Sequence, residues 1–206
     1  MPTISILCLG ISNTNSVKVA FESAGASVRL VSSAAELKDS DGIVMPGVGS
    51  FKHAMEALRQ GGFPPRLQKA VIEDRTPFLG ICLGMQMLAD EGDEGGQTQG
   101  LGWISGKIKR LTPPPSFRVP HIGWDDIVIQ KRQPLFEGLP PSPSFYFVHS
   151  YFLDADKRYA SASCDYGTPF PVGVQKDHIF GVQFHPEKSQ KNGAVVLRNF
   201  LSHIKR

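Results

Sequence analysis

Long apolar runs are missing from this chain of 206 residues. No stretch approaches the roughly 20 residues that span a bilayer, which speaks against a membrane-embedded role. Cysteine is scarce: three residues, an odd number, suit a reducing compartment better than a disulfide framework. Charge of one sign is also lacking, since the net value is only +3 and Lys and Arg are scattered, so no basic patch for nucleic acid emerges. There is no Gly-x-x-x-x-Gly-Lys-Ser/Thr phosphate loop, no Gly-x-Gly-x-x-Gly dinucleotide fingerprint and no Cys/His cluster spaced for zinc. Cofactor and metal are therefore both expected to be absent. Internal repeats and low-complexity tracts are lacking too, and the N-terminus opens on a strand pattern rather than a signal peptide. A cytoplasmic enzyme is the expectation.

What is present reads as one α/β domain over residues 1–206. Ile4 to Leu9 forms a first strand, and Val17, Ala20, Phe21 and Ala24 follow at helical spacing with Gly25 as the stop. Strands near 27–32, 42–45 and 77–81 alternate with helices near 51–60 and 64–74, the order of a central, mostly parallel sheet flanked by helices. After Gly102 the chain turns strand-rich. The proline-rich runs "LTPPPSF" and "GLPPSPSF" are too short for domain linkers and read as loops. A last helix begins near Ser189, with Val196, Leu197, Phe200, Leu201 and Ile204 as its buried stripe.

The chemistry concentrates at "FLGICLGMQ", residues 78–86. Phe78, Leu79 and Ile81 suit a buried strand, and a run of helix formers from Leu83 continues unbroken to Gly92. Cys82 then falls at a strand–helix junction between Gly80 and Gly84, the pattern of a nucleophile elbow with cysteine in place of serine. An isolated cysteine in an apolar run is ordinarily an inert core residue; two flanking glycines, which let strand and helix approach, reverse that reading. A helix N-terminus also favours the thiolate, the form that attacks.

A thiolate needs a base and the base needs an orienter. In "IFGVQFHPEKS", His185 and Glu187 lie two apart, so on an extended segment held by Pro186 they share a face. His53, His121, His178 and His203 lack such neighbours and read as solvated or structural. Oxyanion donors are expected from the turn Pro46-Gly47-Val48-Gly49 after the short strand Ile43–Met45, through Val48 and Gly49, and from the N–H of Leu83. In "YFVHSYF", alternating aromatics build a half-buried strand with His149 and Ser150 at or near its end. Cys8 and Cys164 read as small buried hydrophobes.

Together the Gly80–Gln86 elbow, the Pro46–Gly49 turn and His185-Pro186-Glu187 resemble the class I, triad-type glutamine amidotransferases over nearly the whole chain. Within that family "PGVGSF", "GLGWISGKIKRL", "VPHIGWDDI", "YFVHSYF" and "FGVQFHPEKSQ" are similar to the glutaminase subunits of imidazole glycerol phosphate synthase. The resemblance implies that Cys82 cleaves glutamine to glutamate and ammonia, with His185 as base and Glu187 as orienter. It also implies a glutamine pocket of Gly49, Leu83, Gln86, His149, Ser150 and Tyr151.

With no acceptor site visible, ammonia must pass to a partner, and the resemblance implies a cyclase subunit in a heterodimer. Trp124 and Lys188 are the residues expected to face it. Two departures stand out: Cys8-Leu9-Gly10-Ile11-Ser12-Asn13 replaces the usual Asp-Tyr-Gly-x-Gly-Asn, and Asp125 stands where asparagine is usual. They leave room for a paralogous glutaminase serving another acceptor, such as a sugar or a vitamin B6 precursor. A catalytically silent regulatory subunit is the reading from another class.

Overall fold

The computed structural model describes residues 1–10, 14–38 and 40–204; Ile11, Ser12 and Asn13 of the divergent loop lie outside the described residues. The first part alternates: β1 (Thr3–Leu7), α1 (Thr14–Ser23), β2 (Ser27–Val31), β3 (Gly42–Gly47), α2 (Phe51–Gln60), α3 (Phe63–Leu67), β4 (Phe78–Cys82) and α4 (Leu83–Gln86). The remainder is strand-rich, with β5 (Glu91–Gly92), β6 (Thr98–Gln99), β7 (Gly106–Arg110), β8 (His121–Ile129), β9 (Ser144–His149), β10 (Tyr151–Ala155), β11 (Ala160–Asp165), β12 (Pro169–Lys176) and β13 (Ile179–Val182), before α5 (Gln190–Ile204).

A nine-stranded sheet runs in the order β2-β1-β3-β4-β13-β12-β11-β8-β9. From β2 to β13 every pairing is parallel, and from β13 to β9 every pairing is antiparallel. A smaller four-stranded sheet, β10-β7-β5-β6, packs beside it. The inner parallel strands β3, β4 and β13 are buried on both faces, as their near-continuous apolar sequences require, while β2 at the sheet edge is half exposed. Ile4 and Ile6 of β1, Val44 of β3 and Leu79 and Ile81 of β4 point to one core with Phe21 of α1 and Phe200 of α5. Ile43 and Met45 of β3 and Phe78 of β4 point to the other, with Phe51 and Leu58 of α2 and Phe63 and Leu67 of α3. Each face buries a period-two set of side chains, so a one-residue slip would exchange the two sets between cores packed for different side chains.

Two local expectations change. The helix expected to run from Leu83 to Gly92 is a single turn, α4, ending at Gln86. Beyond it the carbonyls of Met87, Leu88 and Ala89 accept hydrogen bonds from the backbone of Leu101, Trp103, Ile104 and Gly102, so the incoming 100–104 segment takes the acceptors that a longer helix would use. Gly100 permits the approach: a Cβ there would meet the Ala89 carbonyl oxygen at 2.1 Å. Likewise Pro186 does not keep an extended link but opens a 3-10 turn, Pro186–Lys188. Proline's fixed φ and missing N–H suit the first position of such a turn.

Candidate active site

The C-terminal ends of β3, β4 and β13 lie side by side, with Gly47 of β3 in register with Cys82 of β4. In an open α/β sheet such edges are where ligands bind. Cys82 sits at φ 54°, ψ −112°, a conformation strained for a residue with a Cβ and worth about 1–3 kcal/mol. The strain is maintained by contacts that leave the chain no alternative. A Cβ on Gly80 would meet the Gly84 carbonyl oxygen at 2.5 Å, and one on Gly84 would meet the Met45 carbonyl oxygen at 1.7 Å. Strand β4, the turn of α4 and strand β3 thus touch backbone to backbone at both glycines.

His185 follows β13 and is held by its backbone N–H donating to the Tyr146 carbonyl at 2.9 Å. Ser189 closes the turn: its hydroxyl donates to the His185 carbonyl at 2.6 Å and accepts from the Tyr146 N–H at 3.0 Å. The Nδ1–H of His185 donates to Glu187 Oε1 at 2.8 Å, both side chains being almost fully buried. That bond leaves Nε2 as the working nitrogen, and Nε2 is buried without a hydrogen-bond partner. Burial opposes a charged imidazole here, but the sulfur of Cys82 and the carboxylate of Glu187 outweigh it and raise the His185 pKa. A carboxylate on one side and the sulfur on the other favour the charged form of the imidazole between them.

Before Cys82 opens a cleft of about 250 Å³ lined by Val48, Gly49, Leu83, Gln86, His149, Ser150 and Tyr151, the residues singled out from sequence, together with Glu94, Pro120 and Val148. Gly49 adopts φ 104°, which only glycine takes readily. Glu94 has no sequence signal, lying in the Gly- and acid-rich run "EGDEGG". It is placed by accepting the Phe51 N–H at 2.7 Å, and burial, only partly offset by that bond, raises its pKa.

His121, read from sequence as solvated or structural, has close polar partners that the sequence did not show. It is buried, with Nε2 2.6 Å from Asp125 Oδ2 and Nδ1 3.2 Å from His149 Nε2. His149 Nδ1 in turn donates to the Tyr151 carbonyl at 2.9 Å. Burial drives the His149 pKa down to about 3, and burial also lowers that of His121, against the opposing pull of Asp125.

The other predicted residues lie outside the cleft. Trp124, on the outer face of β8, is 45% exposed, and its ring meets Tyr146 edge-on at 6.0 Å. Lys188 is exposed and places Nζ 5.7 Å from the centre of the Tyr146 ring. Ile122 and Val128 are exposed at alternate positions of the same strand. Of the two other cysteines, Cys164 is buried, with its pKa pushed up to about 12 by burial, whereas Cys8 is only half-buried. His53 is exposed, and His178 Nε2 donates to the Val71 carbonyl at 2.6 Å.

Comparison with known proteins agrees with this geometry. The profile described as "Glutamine amidotransferase class-I" matches residues 6–204. The chain belongs to that family. It is 41% identical to imidazole glycerol phosphate synthase subunit HisH 1 of Campylobacter jejuni (strain RM1221), over 96% of this chain and 98% of the relative. Over 98% of its length it is 41% identical to the whole of the subunit HisH of Archaeoglobus fulgidus. Among solved structures, one described as a glutamine amidotransferase superposes with a TM-score of 0.77 at 20% identity, covering 98% of this chain and 99% of that one. PurLQS from Thermotoga maritima gives 0.73 at 18% identity, covering 98% and 99%. At these identities the two structures speak for the fold.

Proposed function

We infer that this chain is the glutaminase subunit of an imidazole glycerol phosphate synthase and works in the cytoplasm as one amidotransferase domain. The observation that carries the chemistry is Cys82 held at a strained strand–helix junction beside a buried His185–Glu187 pair. The full-length likeness to subunits of that synthase supports the particular acceptor.

In the reaction, His185 Nε2 takes the thiol proton and the sulfur attacks the side-chain carbonyl carbon of glutamine. The carbonyl π pair moves to oxygen, where the N–H groups of Val48, Gly49 and Leu83 receive the charge. Collapse breaks the C–N bond, His185 returns its proton to the leaving nitrogen, and ammonia departs from a glutamyl thioester that water then cleaves to glutamate. Glu187 fixes the tautomer throughout. Gln86, His149, Ser150 and Tyr151 shape the cleft, and the Glu94 carboxylate offers a partner to the substrate's α-ammonium. Ammonia is protonated in open water and loses its nucleophilicity, so it must leave through a dry passage to a docked cyclase. That subunit makes imidazole glycerol phosphate and an aminoimidazole carboxamide ribotide. The face of Trp124, Ile122, Tyr146 and Lys188 beside the cleft combines exposed apolar area with one cation, a composition suited to docking.

The test is a reconstitution with the cyclase subunit of a related synthase. Cys82→Ala should abolish glutamine-dependent synthesis and spare synthesis driven by ammonium salts at high pH. Glutamine hydrolysis at the wild-type rate in that variant would refute the nucleophile. An active glutaminase that never supports the cyclase would instead point to another acceptor.

A further inference from the structure

Gln183 has no part in the triad, yet its side chain is fully buried beneath the nucleophile. A carboxamide is costly to bury unless its hydrogen bonds are made. Here they are made in one direction only. The Tyr151 carbonyl oxygen, which can only accept, lies 2.7 Å from Gln86 Nε2. The nitrogen of Gln86 must therefore face it, and its second hydrogen goes to Gln183 Oε1 at 3.1 Å. With its oxygen committed, Gln183 turns its own Nε2 toward Cys82 Sγ, 3.6 Å away. A single backbone carbonyl thus orients two amides in series, and the series ends on the reacting sulfur.

We propose that Gln183 is a catalytic residue that donates an N–H to the Cys82 thiolate, and that Gln86 is the positioning residue that holds it in that orientation. The proposal rests on Cys82 being the nucleophile. An N–H bond to a charged acceptor is stronger than one to a neutral acceptor, so it favours the thiolate over the thiol and fixes the direction of the sulfur's lone pairs. When sulfur becomes a thioester the charge is gone and the donor relaxes, while the proton taken by His185 moves on to the departing ammonia.

Other groups around the sulfur leave this role open. His185 supplies a cation with Glu187 behind it, His149 from β9 is neutral, and Glu94 across the cleft carries at most a negative charge. Neither Lys nor Arg is among the residues lining the cleft.

Alkylation of the full chain by iodoacetamide tests the proposal, with the labelled cysteine located by peptide mass spectrometry and glutaminase followed in parallel. Gln183→Met fills the same space without a donor, and Gln183→Glu keeps the shape but replaces the donor with a carboxyl group. At pH 6.5, Cys82 in Gln183→Met should be labelled about tenfold more slowly than in the wild type, an effect of one charge-assisted hydrogen bond. Gln183→Glu should be slower still. At pH 10, where a thiol of ordinary pKa is ionised without help, the rates should converge. Gln86→Leu, which keeps Gln183 but frees its amide, should fall between wild type and Gln183→Met, and supplies the reading if neither substitution at 183 folds. Equal labelling at pH 6.5, or a uniform slowing that persists at pH 10, would overturn the proposal. If labelling of wild-type Cys82 leaves glutaminase intact, the nucleophile assignment is what fails.

Discussion

Lowering the pH from 7 to 5 should destabilise the fold through His149, and the size follows from its burial. The imidazole is held neutral with a folded pKa of about 3, against an ordinary value of 6.5. Between those values the unfolded chain binds a proton that the folded chain refuses, so stability falls as pH falls. At about 1.4 kcal/mol per pH unit below 6.5, the loss by pH 5 is about 2 kcal/mol. His185 runs the other way. Its raised pKa gives stability that is complete below the unfolded value and fades only as the pH climbs through the folded one. Comparing wild type with His149→Gln cancels that term, because His185 is present in both. Gln at 149 keeps hydrogen-bonding capacity without a titrating group. Equilibrium urea unfolding at pH 7, 6 and 5 is the assay: the gap between the two proteins should close by about 2 kcal/mol from pH 7 to pH 5. A pH-independent gap would refute the assignment of a buried neutral imidazole.

The remaining predictions concern the elbow and the base. Gly84→Ala drives a Cβ into the Met45 carbonyl and should cost at least about 3 kcal/mol, a Tm loss of roughly 6–12 °C by thermal denaturation. Gly49→Ala meets no atom within 4 Å but must hold φ 104°, so a melt should show only about 1–2 kcal/mol lost while glutaminase falls with the displaced N–H. His185→Ala should lower glutaminase kcat by about 10²–10⁴-fold. Glu187→Gln should lose less and should move the alkaline limb of the kcat profile to lower pH, because the carboxylate helps raise the His185 pKa; equal damage in the two variants, or an unmoved limb, would contradict the roles assigned.

The parts of the site that were legible from sequence are those whose cause is local. Cys82 between Gly80 and Gly84 announces a junction because the glycines are needed within two residues of it. His185 and Glu187 are close whichever backbone joins them, so their pairing survives the replacement of an extended link by a 3-10 turn. The misses have distant causes. The end of α4 at Gln86 depends on hydrogen bonds from the 100–104 segment. His121 meets His149 because antiparallel β8 and β9 place the two opposite each other in register, a pairing 28 residues apart. Glu94 reaches the cleft through the Phe51 N–H, 43 positions away. In each case the residue type was visible while its partner was set by strand register or loop closure.

The site is thereby a property of backbone contact as much as of side chains. Gly84 seats α4 against the carbonyl of β3. Gly181 of β13 lies against Met85, where a Cβ would come within 2.8 Å, and Gly193 of α5 lies under the turn that carries Glu187, where a Cβ would meet the Pro186 carbonyl oxygen at 1.9 Å. Each of these approaches brings a different catalytic element to the same edge of the sheet; a methyl group at Gly84 or Gly193 would have to move backbone, and one at Gly181 would press on the side chains of Met85 and Val174. Removing Cys82, His185 or Glu187 deletes chemistry from a frame that has other support. Adding one carbon at Gly84 or Gly193 leaves the triad residues in place and shifts the frame that aims them. Activity at this site can therefore be lost by two routes that stability measurements separate, and the glycines, which carry no chemistry, stand on the more costly one.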